Sequence, residues 1–441
     1  MIAKLDLAVR GGRPVRRGGW PQWPIFDAET ALALKRAGES GRWTNSGPYV
    51  GTPLLERQFA RAFAVYCGSA HCVPTDHGSS ALTVSLEALG IGAGDEVLVP
   101  ALTWVATATA VTSVNAIPVI VDIDPSTLCI DVSATSQAIT PRTRAIVPVH
   151  LYCGMADMDA LLRLSAVTGV PIIEDCAHVH GARWRDRPAG SLGAAGAFSM
   201  QQTKVLTCGE GGAVVTSNLH LARRMEQLRA DSRVYREGPL ELYDDELITL
   251  GELEGTNHCM SEFHAAVLLA QLQKLDAEHE RRSAGASAVD ADLQSLPGVT
   301  PLGCLEAVSR RVYYAYVFRI DRDQFAGRSS RAVGHALSAE LGVPVAPIYP
   351  PLTDVVSYNP RSRRRHFISE AHLKALTRPR FPTPCARRAH ATHLSIPHQV
   401  LLASRTDLAD IAVAIERVGR LADRIPVPTT LNTTQVPHED D

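Results

Sequence analysis

Between about residue 78 and residue 217, short apolar runs alternate with turn residues and with longer segments of helical period. The runs are EVLVP (96–100), IPVIVDID (117–124), RAIVPVHLY (144–152), VPIIED (170–175), AGAFSM (195–200) and GAVVTS (212–217). They are nearly continuous in apolar or β-branched residues, as strands are when helices cover both faces of a sheet. The spacing therefore predicts an α/β domain built on a mostly parallel sheet. Leu82, Leu86 and Leu89 stand four and three apart and predict a helix over this stretch, with Ser79 or Ser80 as its cap and Gly90 at its end. The start of that helix should face the strand ends.

From residue 261, SEFHAAVLLAQLQKLDAEHERR predicts one amphipathic helix carrying the chain out of the sheet. The following region mixes strand-like VYYAYVFRID with helical SSRAVGHALSAELG and is richer in arginine and proline, so it reads as α+β. The expected organisation is a large domain with an N-terminal arm (1–283), a smaller C-terminal domain (284–424) and a flexible tail (425–441) that is polar and carries three prolines.

A chain of 441 residues suits a two-domain subunit with a sizeable core. The net charge is -2 and basic residues fall mostly in short pairs, which excludes nucleic-acid and membrane-surface partners. Nine cysteines without a CxxC pair argue against a disulfide framework or a zinc site. No apolar run of about 18 residues occurs and the N-terminus lacks a signal-like stretch, so a soluble, cytoplasmic protein is expected.

Two residues stand out chemically. Asp175 ends the run VPIIED, and Lys204 follows AGAFSM within SMQQTKVLTCGEGG. Open α/β sheets hold their ligands beyond the carboxyl ends of strands, where both residues belong. Alone, Asp175 reads as a helix cap and Lys204 as a surface charge. Together they suit a lysine that forms a Schiff base beside permissive glycines (Gly209, Gly211, Gly212) and an acid that holds a pyridine nitrogen protonated. Asp175, His178 and His180 also offer metal donors, but neighbouring strand-end residues point different ways, and no metal site is expected. The stretch GIGAG (90–94) follows a helix and precedes a strand, the reverse of a dinucleotide loop.

The chain resembles the DegT/DnrJ/EryC1/StrS family of sugar and cyclitol aminotransferases. The resemblance rests on segments such as GRWTNSGPYVGTPLLERQFARAF, GSSALTVSLEALGIGAGDEVLVPALTWVATATAV, IIEDCAHVHGARW, GAFSMQQTKVLTCGEGGAVVTS and GTNHCMSEFHAAVLLAQL, over most of residues 40–275. It is thinner beyond, chiefly IPHQVLL around Pro397 and His398. The resemblance implies an aspartate aminotransferase-like fold (fold type I), pyridoxal 5'-phosphate as cofactor, and a homodimer with shared active sites. By motif, Lys204 would be the Schiff-base lysine, Asp175 the partner of the pyridinium nitrogen and Trp104 the ring-stacking aromatic. Ser79, Ser80 and Ser199 would hold the phosphate, with Asn257 reaching in from the neighbouring subunit.

Three departures from the family pattern matter. HGSSAL stands where SGTAAL is common, which puts His77 beside the phosphate. DCAH stands where DAAQ is common, so His178 would meet the cofactor's phenolic oxygen and preserve its hydrogen bond. Cys259 replaces a frequent arginine, and NHCMSEF is closer to the cyclitol branch. The implied reaction moves an amino group from glutamine or glutamate to a keto-cyclitol such as scyllo-inosose or 2-deoxy-scyllo-inosose, on the way to an aminoglycoside. Tyr49, His150, Tyr152 and His178 are the expected substrate-lining residues. A nucleotide-sugar aminotransferase, a 3-amino-5-hydroxybenzoate synthase-like dehydratase and a non-enzymatic regulator remain the alternatives, and the arginine-rich RSRRRH (361–366) would meet a diphosphate if it covered the pocket.

Overall fold

The computed structural model describes residues 6–377 and 379–426, so the tail expected after Ile425 lies outside the described residues from 427 on. Among the described residues, seven strands form the large sheet, in the order His71–Thr75, Gly212–Thr216, Ala195–Ser199, Ile173–Asp175, Thr143–Ile146, Glu96–Pro100 and Ile117–Val121. Its two halves join through parallel bridges at Ile146 to Ile172 and at Val149 to Asp175. Only Gly212–Thr216 is reversed, antiparallel to both neighbours. The pairing of Ser199 with Gly212 makes the intervening segment 200–211 turn back at the carboxyl end of the strand, and Lys204 lies on that turn.

The run RAIVPVHLY is only partly regular strand, because Pro148 has no N–H to continue the ladder. The chain crosses there to the next strand instead. The Asp175 N–H donates to Pro148 O at 2.9 Å and the His150 N–H donates to Asp175 O at 3.1 Å, which fixes the backbone of Asp175 on both sides.

The helix of Leu82 and Leu86 runs Gly78–Ala88, two residues earlier than a cap at Ser79 allows. His77 is its N-cap residue and makes no capping bond with its side chain; Ser79 and Ser80 lie in the first turn. Close packing explains this start. A Cβ on Gly78 would come within 2.5 Å of Ser199 Cβ, so only glycine lets the helix begin against the strand Ala195–Ser199.

The single helix expected over 261–282 is two, Glu262–Leu272 and Leu275–Leu293. At the break, Lys274 Nζ is drawn to Asp27 at the start of the helix Ala28–Glu39, and Gln271 Nε2 donates to Ile25 O at 3.0 Å. The expected domain boundary at 283/284 thus falls inside a continuous helix. The C-terminal part carries an antiparallel sheet in the order Val299–Pro301, Ala315–Ile320, His393–Pro397 and Ala346–Pro347. The helices Ser330–Leu341 and Arg405–Arg420 belong to the same part, which is α+β as its sequence pattern predicts. No helix among the described residues is long and apolar enough to cross a membrane.

Candidate active site

A cavity of about 420 Å³ opens at the carboxyl ends of the sheet strands, lined among others by Asp175, Lys204, His178, Trp104, Ser79 and Ser199. At its floor, Asp175 Oδ1 accepts the Ala177 N–H at 3.1 Å and Oδ2 accepts the Thr107 hydroxyl at 2.9 Å. Thr107 shares a second hydrogen bond with Thr103 at 2.7 Å. Burial pushes the Asp175 carboxyl above its ordinary range, while these two donors, Lys204 and His150 pull it back. Both oxygens are met by donors, the arrangement that suits an ionised carboxylate.

Lys204 is 9% exposed, and burial lowers its ammonium below the ordinary lysine range; Tyr314 and Asp175 offset part of that. An amine whose charge is disfavoured is a better nucleophile at neutral pH. Its loop is held from outside the sheet. The Trp23 indole N–H donates to Gln202 O at 3.1 Å and Lys204 O at 3.2 Å, and His398 Nε2 lies 3.2 Å from Thr203 O. Lys204 Nζ sits 4.4 Å from the centre of the Tyr314 ring, whose hydroxyl is 3.1 Å from Thr203 Oγ1.

His178 accepts the N–H of Tyr152 with Nδ1 at 3.1 Å, so the neutral ring carries its proton on Nε2. Tyr152 aims that N–H from a left-handed conformation, φ 57°. Burial and the nearby Lys204 hold the imidazole well below its ordinary range. His178 is therefore a fixed neutral donor stacked on Tyr314, with ring centres 3.7 Å apart. Trp104, 60% exposed, presents its indole at the opening, 5.8 Å from the Tyr349 ring. At the opposite end the helix Gly78–Ala88 points its first N–H groups into the cavity beside Ser79 and Ser199, a natural site for an anion.

The structure brings together Ser79, Trp104, Asp175, His178, Ser199 and Lys204. It sets the other expected residues apart. Ser80 is buried and faces Asp76. Asn257 is exposed, its Oδ1 accepting the Cys259 N–H at 3.2 Å, and is not on the wall of this chain's cavity. Tyr49 is half-buried, bonded through its backbone to Asp244 and Tyr243, outside the cavity. Tyr152 lines an adjoining cavity of about 490 Å³ that shares Thr203, Tyr314 and Tyr349 with the first.

His150 requires a correction: it is fully buried, with Nε2 3.1 Å from Glu174 Oε2 and Nδ1 accepting the Ala156 N–H, so it lines neither cavity. With Cys176, His150 and Glu174 have ligand-type atoms within 4.8 Å of one another. The Glu174 carboxylate, however, already accepts the N–H groups of Gly190, Leu192 and Gly193 at 2.8–3.0 Å. The cluster is a strut that ties the Asp175 strand to the loop 190–193.

Sequence reasoning missed Thr107, Tyr314 and Tyr349. Thr107 lies three residues beyond Trp104, so its nearness was readable in principle. The two tyrosines come from the C-terminal part, and no local signal marks them.

The sequence pattern that defines the DegT/DnrJ/EryC1/StrS aminotransferase family matches residues 24–407, and the chain belongs to that family. It is an enzyme of the aminotransferase class. Among curated relatives, it is 48% identical to the L-glutamine:scyllo-inosose aminotransferase of Streptomyces griseus, covering 94% of this chain and 97% of that protein. It is 49% identical to the L-glutamine:2-deoxy-scyllo-inosose aminotransferase of Streptomyces lividus, covering 94% of this chain and 98% of that one. The fold matches a crystal structure of 3-amino-5-hydroxybenzoic acid synthase with a TM-score of 0.78 at 31% identity, covering 92% of this chain and all of that one.

Proposed function

We propose that the cavity holds pyridoxal 5'-phosphate and that the protein transfers an amino group from L-glutamine to scyllo-inosose or 2-deoxy-scyllo-inosose in aminoglycoside formation. The residues present fit the cofactor. A carboxylate with two donors, a buried amine, an indole face and a helix N-terminus with two hydroxyls converge on one cavity. When bound, the cofactor ring would draw electrons from the carbon that carries the migrating nitrogen. Asp175 would hold the proton on the ring nitrogen. His178 would offer its Nε2 proton to the ring's hydroxyl oxygen, and Trp104 would supply an aromatic face for the ring. Lys204 Nζ would anchor the cofactor and, once freed, would take and return the proton at the substrate carbon. The Trp23 and His398 contacts to its loop keep that amine in place.

The acceptor reading rests on one observation. Apart from Lys204, no lysine or arginine among the described residues lines either of the two adjoining cavities, whereas a diphosphate calls for several cationic side chains. The run RSRRRH does not cover the opening; Arg365 donates to Ser113 Oγ at 3.1 Å, at the far end of the helix Ala106–Ser113. Tyrosines, hydroxyls and amides around the two cavities suit a small neutral polyol, and the names of the close relatives point the same way. The active unit is read as a cytoplasmic homodimer. Exposed Phe26, Trp43, Leu242 and Tyr243 support a covered face, and exposed Asn257 is free to reach the partner's phosphate end.

Two measurements test this reading. Borohydride reduction of the cofactor-loaded protein, followed by peptide mass mapping, should place the label on Lys204. The kcat/KM at saturating glutamine should be far higher for scyllo-inosose or its 2-deoxy form than for nucleotide-linked keto sugars. A label elsewhere refutes the cofactor assignment, and the reverse substrate order refutes the cyclitol assignment alone.

A further inference from the structure

We propose that Arg282, which lines neither cavity, is a positioning residue for Lys204: it fixes which ring nitrogen of His398 carries the proton, and through that ring it holds the backbone of the Lys204 loop. The inference rests on the reading of Lys204 as the residue that carries the cofactor. Three consecutive carbonyl oxygens of the loop are met by donors from outside the sheet. The Trp23 indole serves those of Gln202 and Lys204, and the His398 ring serves that of Thr203 between them. Trp23 comes from the N-terminal arm and His398 from the C-terminal part. Arg282, on the helix Leu275–Leu293, reaches both.

The direction of each hydrogen bond follows from the groups themselves. A guanidinium only donates, so the Arg282 Nε–H, 3.2 Å from His398 Nδ1, makes that nitrogen an acceptor. The neutral ring then carries its proton on Nε2, which lies 3.2 Å from Thr203 O and donates to it. A proton on Nδ1 instead would set two N–H groups against each other at Arg282 and two lone pairs against each other at Thr203. His398 is buried, which removes water as a substitute partner for either nitrogen. Burial and then the Arg282 charge hold the imidazole well below its ordinary range, so the ring stays neutral.

Arg282 is itself held in place. Its side chain is fully buried, Nη2 donates to Glu278 Oε2 at 2.8 Å one turn back on the same helix, and the guanidinium carbon stands 4.9 Å from the centre of the Trp23 ring. The Trp23 and His398 rings meet edge to face, with centres 4.7 Å apart. One buried cation thus sets the ring that donates to Thr203 and packs on the ring that donates to either side of it. Packing alone does not account for an arginine here. Nη1 has no hydrogen-bond partner among the described residues, and an apolar side chain would fill the space without burying a charge. Placement is what the charge and its Nε–H supply, and displacing a reacting group by about 1 Å costs on the order of a hundredfold in rate.

Arg282→Lys keeps a charge beside Glu278 but lacks the Nε–H, so the His398 proton is no longer fixed. We expect kcat to fall roughly tenfold while KM for each substrate stays within about threefold of native. In the cofactor-free full-length protein, hydrogen exchange of the peptide spanning residues 200–209 should speed up roughly tenfold while peptides remote from the loop keep their native rates. Glutamine has no tautomers, and His398→Gln places an amide donor towards Thr203 O whatever Arg282 does. In that background Arg282→Lys should therefore cost about twofold or less in either readout. Far-UV circular dichroism confirms folding, and Arg282→Met, which buries no charge, takes the place of Arg282→Lys if the latter does not fold. An equal loss in the native and His398→Gln backgrounds, or native exchange of the loop peptide in a folded Arg282 variant, overturns the inference. Borohydride labelling on a lysine other than Lys204 overturns the cofactor reading, whereas the exchange measurement, made without cofactor, decides by itself whether Arg282 holds the loop.

Discussion

Thr107→Val isolates one hydrogen bond at the floor of the site. The substitution is close in volume, the side chain is buried, and its hydroxyl is the sole side-chain hydrogen-bond donor to Asp175 among the described residues, at 2.9 Å. A hydrogen bond to an ionised group is worth about 1.5–3 kcal/mol, so the ionised form of Asp175 loses roughly ten- to hundredfold in relative stability. Asp175 is already pushed up by burial, and losing this donor pushes it further in the same direction. The carboxylate that must hold the ring proton is then less populated at neutral pH. We expect kcat/KM to fall about tenfold or more, and more at pH 6 than at pH 9, because rising pH restores the ionised acid. The assay is steady-state kinetics over that range, with cofactor occupancy checked by absorbance. In an Asp175→Asn background the same substitution should cost almost nothing further, since the group it acts through is gone. A twofold change or less in the single variant, or an equal loss in both backgrounds, refutes the argument.

Two further outcomes concern stability. Glu174→Gln should cost about 3 kcal/mol or more, because an amide NH₂ would face backbone N–H groups that now donate to the carboxylate. An apparent Tm of the cofactor-free protein within about a degree of native would contradict this. Asp76 is held at about 2, below its unfolded value of 3.8, so its contribution is present above about pH 4 and lost as pH falls towards 2. Thermal melts should show native protein ahead of Asp76→Asn at pH 7, with the gap narrowing below about pH 4 and closing only towards pH 2; a gap independent of pH rules that out.

Residue pattern and local spacing carried much of the protein. The runs EVLVP, IPVIVDID and GAVVTS are strands because uninterrupted apolar β-branched stretches have no stable place other than a sheet covered on both faces. Asp175 and Lys204 were legible because each follows such a run, and strand ends are where an open sheet presents side chains to a ligand. Local rules failed where distant packing outweighed them. Ser79 and Ser80 look like caps, but the helix starts at Gly78 because only a residue without a Cβ fits against Ser199. The amphipathic stretch 261–282 reads as continuous, but the pull of Asp27 on Lys274 accompanies a break there.

The division within the site follows the same physics. Chemical identity is local, so lysine, aspartate and a tryptophan in their motifs announce themselves in the chain. Environment is not. His150 and His178 are both histidines near strand ends, yet one is sealed against Glu174 and the other faces the cavity as a neutral donor, a difference set by which backbone N–H each ring meets. Tyr314 reaches Lys204 from the C-terminal part and Tyr349 lines the same cavity, where the fold alone brings together residues more than a hundred positions apart. The sequence determined which groups could do the chemistry. Only the tertiary structure decided which are buried, which carry charge and which face one another, because desolvation and hydrogen bonding depend on neighbours that chain order does not specify.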